Sequence, residues 1–288
     1  MLGQGTWELE QAPRAQAVAA LRRGVELGLT HIDTAEMYGD GRAEELVGEA
    51  LAGPAPARAG AARAGTGRTS GAGALRDRVF LASKVLPQNA SRRGTVAACE
   101  ASLKRLRTDH LDLYLLHWPG DHPLEETIAA FEELVAAGKT RAWGVSNFDE
   151  ALLARAVALA GAGRIACNQV LYHLGERAIE HKVIPYCERQ GIAVVAYSPF
   201  GSGPFVKRGS RGFKVLEQVA ERAGGTVRQV ALAFLTLRAS VFAIPKAAKA
   251  EHLEDNAGAA ALRLGAEDVE LIDAAFPRGP WKPGVPTI

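Results

Sequence analysis

Leu111-Asp112-Leu113-Tyr114-Leu115-Leu116, running into His117-Trp118-Pro119, is an apolar stretch broken only by Asp112. It is of strand length, and a strand without polar alternation is covered on both faces. Parallel sheets supply such strands, because their crossover helices cover the outer face. Working outward, the same rhythm repeats. Upstream lie strand segments over 2–7, 30–34 and 79–84, with helices opened by Pro13 and over 43–51 and 92–106 between them. Downstream, strands over 140–145, 165–170, 192–197 and 241–244 alternate with helices over 125–137, 150–160, 178–189, 213–222, 226–237, 250–260 and 266–275. The helix over 178–189 contains Pro185, which predicts a kink. Eight strand segments alternating with helices predict a single α/β domain over 1–288, a (β/α)8 barrel of the TIM type. A doubly wound sheet would show Gly-x-Gly-x-x-Gly after its first strand, and that motif is absent here.

Composition narrows the function classes. The chain has 288 residues, 48% hydrophobic and 23% charged, with a net charge of +2. Both signs are interspersed, so neither a nucleic-acid nor a membrane footprint is expected. No apolar run is long enough to span a bilayer, and there is no signal peptide. The three cysteines, Cys99, Cys167 and Cys187, are widely spaced. They suit reduced, buried thiols in a cytoplasmic protein better than a disulfide framework or a zinc site. Residues 53–74 are almost entirely Ala, Gly, Arg, Pro, Ser and Thr. Such a stretch cannot bury enough surface to order itself, and a flexible insertion is expected there.

In a barrel of this kind the chemistry sits at the C-terminal ends of the strands. Those ends read Gly5-Thr6-Trp7, Asp33, Lys84, His117, Ser146-Asn147, Gln169, Tyr197-Ser198 and Lys246. A barrel mouth would bring Asp33, Tyr38, Lys84 and His117 together. A phenol is a weak acid, with a reference pKa of about 10. An adjacent Lys84 would favour its phenolate and lower that value, and Asp33 would keep the ammonium charged and aimed. Such a group suits protonation of an oxygen while hydride reaches the neighbouring carbon. No side chain supplies hydride, so a cofactor is implied. Ser146, Asn147 and Gln169 carry the donors and acceptors that a nicotinamide carboxamide needs. Tyr197 offers an aromatic plate, and Lys246 a cation for an adenosine phosphate.

Taken in order, Asp33-x4-Tyr38, Ser83-Lys84, Leu115-Leu116-His117-Trp118, Gly144-Val145-Ser146-Asn147-Phe148, Asn168-Gln169, Tyr197-Ser198-Pro199 and Ile244-Pro245-Lys246 resemble the aldo-keto reductase family over nearly the whole chain. The resemblance implies a reductase of aldehydes and ketones, with Asp33, Tyr38, Lys84 and His117 as catalytic tetrad and Tyr38 as general acid. It further implies that Ser146, Asn147 and Gln169 hold the carboxamide and that Tyr197 stacks on the nicotinamide. Ser198, Gly201 and Ser202 would line the pyrophosphate, and Lys246, His252, Asp255 and Asn256 the adenosine end. Gly5, Thr6, Trp7, Pro199, Phe200, Ile244 and Pro245 join the cofactor set, while Trp7 and Trp118 face the substrate. NADP(H) is the expected cofactor, with NAD(H) as the alternative.

Two departures weaken the 2′-phosphate site. Ala247 stands where many NADP-preferring members have Ser or Thr, and His252 where many have Arg. The hairpin that covers the barrel bottom in that family is expected to be missing or truncated. The stretch after Phe276 is short, which predicts an open substrate pocket. No metal is expected, since His31-x-Asp33 has no further ligands at suitable spacing. His122, His173 and His181 have no obvious partners. The expected substrate is a small carbonyl compound such as methylglyoxal, and the expected state a monomer. A cofactor-binding regulatory barrel and a lyase using a Lys84 Schiff base are the competing classes.

Overall fold

The computed structural model describes residues 2–52, 75–201 and 205–288. The anticipated flexible insertion at 53–74 and Ser202 lie outside the described residues. Strands β1 (Gly3–Gly5), β2 (His31–Asp33), β3 (Phe80–Val85), β4 (Leu111–Leu116), β5 (Thr140–Ser146), β6 (Ile165–Leu171), β7 (Ala193–Tyr197) and β8 (Val241–Ala243) follow one another in sheet order. Every neighbouring pair is parallel. Leu2 bridges to Ala243 and Gly5 to Lys246, and the Gly5 N–H donates to Pro245 O at 3.2 Å. These contacts close β8 onto β1, and the eight strands form the expected barrel.

Strand β4 shows why an unbroken apolar run was needed. Leu113 and Leu115 pack inside the barrel with Ala82, Cys167, Val195 and Ile244. Tyr114 and Leu116 belong to the larger cluster between sheet and helices, where Tyr114 meets Phe131 of α4 (Leu124–Ala136) edge-on at 5.7 Å. Burial on both faces removes apolar area from water twice over, at about 25 cal/mol per Å². Asp112, the single polar position, is buried but satisfied. It accepts the Leu81 N–H at 2.9 Å and pairs with Arg76 and Arg141 at 2.9 and 3.1 Å.

Gly144 lets β5 and β6 approach. A Cβ there would stand 2.5 Å from Cys167 O and 2.9 Å from a Leu115 methyl. The β5–β6 register shifts between Trp143 and Val145, beside that glycine. The shift helps aim Ser146 and Gln169, which pair across the two strands, toward the mouth.

Helix starts follow local signals. Ser91 caps α3 (Arg92–Leu106) and Asp149 caps α5 (Glu150–Ala160). Thr226 and Gln229 cap one another's backbone at the start of α8 (Val227–Leu235). The segment over 178–189 is not one kinked helix. It is a 3-10 turn, Ala178–Glu180, followed by α6 (Val183–Gln190). Pro185 falls in the first turn of α6, where a backbone N–H would have no intrahelical partner anyway. All three cysteines are buried and free. Among the described residues, no helix is long and apolar enough to cross a membrane.

Candidate active site

The C-terminal strand ends surround a cavity of about 960 Å³. Its wall brings together Asp33, Tyr38 and His117 with Gly5, Thr6, Trp7, Ser146, Asn147, Gln169, Tyr197, Ser198, Ile244, Lys246 and Trp118, as the strand-end reading anticipated. Asn147 and Ser198, just past β5 and β7, are held at positive φ, 61° and 47°. Left-handed backbone at residues other than glycine is uncommon and concentrates at functional sites.

Lys84 lies behind this wall, fully buried. Its ammonium donates to Asp33 Oδ1 at 2.6 Å, to Thr34 O at 2.8 Å and to the Tyr38 oxygen at 3.1 Å. All three N–H groups are therefore engaged. Burial works to lower the Lys84 pKa, but the Asp33 carboxylate and the Tyr38 oxygen outweigh it and hold the group above an ordinary lysine. Because Lys84 donates to the Tyr38 oxygen, the phenolic proton is left to point into the cavity.

The expectation that Lys84 would bring the Tyr38 pKa below its usual value is corrected. Burial pushes the phenol up, Asp33 adds to that, and the attraction of Lys84 offsets only part of it. Desolvation penalises the phenolate more than one shared cation repays. Tyr38 therefore remains protonated near neutral pH, as a proton donor must. Its ring is fixed edge-on by Trp7 at 5.0 Å and by His117 at 5.7 Å.

Burial, with some help from the Lys84 charge, drives the His117 pKa down to about 2. The imidazole is thus neutral and can donate only one N–H. Its Nδ1 is buried without a partner among the described residues.

The three residues expected to meet a carboxamide differ in what they leave free. Asn147 donates to His117 O at 3.1 Å and to Ser146 Oγ at 3.3 Å, and its own Oδ1 accepts from Tyr197 OH at 2.9 Å. Its amide is occupied within the protein, so it fixes its neighbours. Gln169 donates to Asp33 Oδ2 at 2.8 Å, which leaves Oε1 free. A free acceptor on Gln169 and the hydroxyl proton of Ser146 are the complement of a primary carboxamide, which carries one acceptor oxygen and one NH2. The donor set fits the nicotinamide end of a dinucleotide. Tyr197, pinned through its hydroxyl, presents its ring to the same cavity.

Lys246 is exposed on the cavity wall, bridged to Gly5. Pro199 and Pro245 adjoin wall residues in sequence, Phe200 and Gly201 follow Pro199, and none of the four lines the cavity. His252, Asp255 and Asn256 lie on α9 (Ala250–Gly258), beyond it. Asp255 accepts from Thr226 Oγ1 at 2.7 Å, which ties α9 to the start of α8. Among the described residues, no cluster of side chains suits a metal ion.

The tail, expected to be too short to cover the pocket, contributes to its wall. Gly284, Val285, Thr287 and Ile288 line the cavity. The segment leading to them is anchored outside the site. Arg177 donates to Phe276 O and to Asp273, each at 2.6 Å, His181 Nε2 lies 3.0 Å from Gly279 O, and Lys182 sits 4.3 Å over the Trp281 ring. His122 and His173 likewise have partners, Gln88 O at 3.2 Å and the Gly175 N–H at 3.1 Å. Strand-end reading missed Met37, Asp149 and Leu152 on the wall, and nothing local in the sequence marks the tail.

A barrel with a buried Asp–Lys–Tyr relay and a carboxamide-shaped cradle at its mouth defines a dinucleotide-dependent oxidoreductase class. Residues 1–276 match the model of the Aldo/keto reductase family, and the chain belongs to that family. It is 45% identical over 278 residues to methylglyoxal reductase YeaE of Escherichia coli (strain K12), covering 96% of this chain and 90% of that protein. Glyoxal reductase of Bacillus subtilis (strain 168) is 33% identical over 276 residues, covering 94% and 87%. A crystal structure of an aldo-keto reductase from Klebsiella pneumoniae in complex with NADPH superimposes with a TM-score of 0.86 at 42% identity, covering 100% of this chain and 94% of that one.

Proposed function

We propose that this protein reduces small aldehydes and dicarbonyl compounds of the methylglyoxal type with NADP(H), using Tyr38 as proton donor. The protein is an NADP(H)-dependent carbonyl-reducing oxidoreductase of the aldo-keto reductase family. The relatives named for methylglyoxal and glyoxal reduction support the small dicarbonyl as substrate.

The observation that carries the reading is the Lys84 hydrogen bond to the Tyr38 oxygen, 3.1 Å long. It leaves the phenolic proton for a carbonyl oxygen and stabilises the phenolate as that proton departs. Ser146 and Gln169 would receive the carboxamide, Tyr197 would back the ring, and Lys246 would meet a phosphate. A reduced nicotinamide held there would supply the hydride for the carbonyl carbon. A neutral His117 offers the same oxygen a second donor without competing for the proton. One chain supplies every one of these groups, which supports action as a monomer.

The geometry disfavours a Lys84 Schiff base. That amine is buried, engaged by three acceptors and absent from the cavity wall. A panel of aldehydes and dicarbonyls, run with NADPH and with NADH, tests the proposal. Consumption of NADPH absorbance with methylglyoxal is expected. Cofactor binding without turnover across the panel would favour a regulatory barrel, and borohydride trapping of substrate on Lys84 would favour a lyase.

A further inference from the structure

Gln169 lies on β6, 2% exposed, with its amide nitrogen 2.8 Å from Asp33 Oδ2. An ionised carboxylate only accepts, so the NH2 must face Asp33 and the oxygen must face the cavity. The other Asp33 oxygen accepts from Lys84 at 2.6 Å, and Lys84 donates to Tyr38 at 3.1 Å. Gln169, Asp33, Lys84 and Tyr38 therefore form one continuous chain of charge-assisted hydrogen bonds. Holding a carboxamide would not by itself require the amide to touch Asp33.

We infer that Gln169 is a positioning residue for proton transfer: its N–H fixes the Asp33 carboxylate and, through Asp33 and Lys84, sets how readily Tyr38 releases its proton. The inference rests on the reductase reading above. With both oxygens engaged, the carboxylate cannot turn, and Lys84 stays directed at both Asp33 and Tyr38. Without the Gln169 donor, Asp33 carries a less stabilised charge and can rotate. It then draws the ammonium away from the Tyr38 oxygen, just where negative charge develops.

Among the described residues no other group takes over this contact. His117, after β4, and Tyr197, on β7, face Tyr38, and both are uncharged near neutral pH. Burial lowers His31, on β2, and raises Cys167, on β6, so these neighbours of Asp33 are uncharged as well. Glu8, Asp149 and Lys246 stand on the cavity wall, and none of them bonds Asp33.

Gln169→Glu tests this. It keeps the shape and the cavity-facing oxygen but sets a second carboxyl against Asp33. Two facing carboxylates share one proton up to a pH above the ordinary carboxyl range. While that proton is held, an O–H replaces the lost N–H. At saturating NADPH, kcat of Gln169→Glu is expected to approach wild type at low pH. It should fall at least ~10-fold as the pair ionises, the scale of one charge-assisted hydrogen bond. This adds a titration that the wild type lacks. Because Gln169 also faces the carboxamide, the NADPH Kd is followed by protein fluorescence at each pH, and kcat is compared only at saturating cofactor.

The cofactor-free protein reports the same contact. A carboxyl whose folded-state pKa is raised contributes stability below its unfolded pKa and loses it as pH rises through the folded value. The Tm deficit of Gln169→Glu should therefore narrow as pH falls. Gln169→Met, with nothing to titrate, should lower kcat at every pH. The inference is overturned if Gln169→Glu only weakens NADPH binding while its kcat profile runs parallel to wild type. It is equally overturned if Gln169→Met, saturated with NADPH, turns over at the wild-type rate. A wild-type protein that reduces no carbonyl with NADPH would instead overturn the functional reading. The Tm comparison would in that case still show whether the introduced carboxyl faces Asp33.

Discussion

Tyr38→Phe removes one oxygen and keeps the ring that packs edge-on against Trp7 and His117. Fold and cofactor site should be unchanged, with NADPH affinity within a few-fold of wild type. A carbonyl that accepts hydride still needs a proton, so kcat should fall at least ~10²-fold, the usual scale for a positioned acid. Near wild-type turnover by the saturated variant would move the proton source to His117 or to water. Lys246 is the complementary case, an exposed cation on the cavity wall with no carboxylate within salt-bridge distance among the described residues. Lys246→Met should weaken NADPH about 10-fold and leave NADH nearly unchanged, since an exposed charge-assisted contact lies at the low end of its range, about 1.5 kcal/mol. Equal losses for both cofactors in a binding titration would place Lys246 against a phosphate that both share. The placement of both residues at the barrel mouth was legible in the sequence because each follows a strand, and strand ends converge in a barrel. The direction of the Tyr38 shift was not legible, because it depends on how much water the fold removes.

Among the elements, the tail after α10 (Ala266–Ala275) departs furthest from the sequence reading. Its last residues form one wall of the cavity, and Arg177, His181 and Lys182 hold the segment before them. Deleting residues 284–288 should open that wall without touching the nicotinamide cradle. KM for a small aldehyde should rise several-fold while kcat/KM for bulky aldehydes improves. One lost apolar contact is worth about 0.8 kcal/mol per methylene. Unchanged discrimination between small and bulky substrates, measured at saturating NADPH, would show that the tail does not shape the pocket. The split of the 178–189 segment has a similar origin. Periodicity and Pro185 predicted one kinked helix, but Arg177 is drawn to Glu180 and Asp273, and the chain makes a 3-10 turn there before α6 begins.

For the whole molecule, buried histidines set the response to mild acid. His117 has a folded-state pKa near 2, and burial also lowers His31. Unfolded histidines titrate near 6.5, so below that pH the unfolded chain binds protons that the folded barrel refuses. Stability is therefore full above about pH 6.5 and declines as pH falls, before carboxylates begin to titrate. For His117 the loss between pH 6.5 and 5 amounts to about 2 kcal/mol. Melting curves over that window should show a falling Tm, and His117→Gln should flatten the slope. A slope identical in the variant would assign the acid sensitivity to other groups.

The sequence alone determined the strand–helix alternation, the parallel barrel and the side chains that meet at its mouth. Each of these follows from local pattern: an apolar run with no polar face, a cap, a polar residue just past a strand. Asp33, Lys84, His117 and Gln169 could be named without coordinates because barrel closure turns eight strand ends into one site. Tertiary structure decided what those residues do to one another. The amide of Gln169 meets Asp33 across 136 positions of chain, Lys84 is hidden behind Tyr38, and Arg177 reaches across 99 positions to steer the tail into the cavity. Burial and hydrogen-bond direction depend on every surrounding atom. A pattern with a period of two or 3.6 residues carries no record of them.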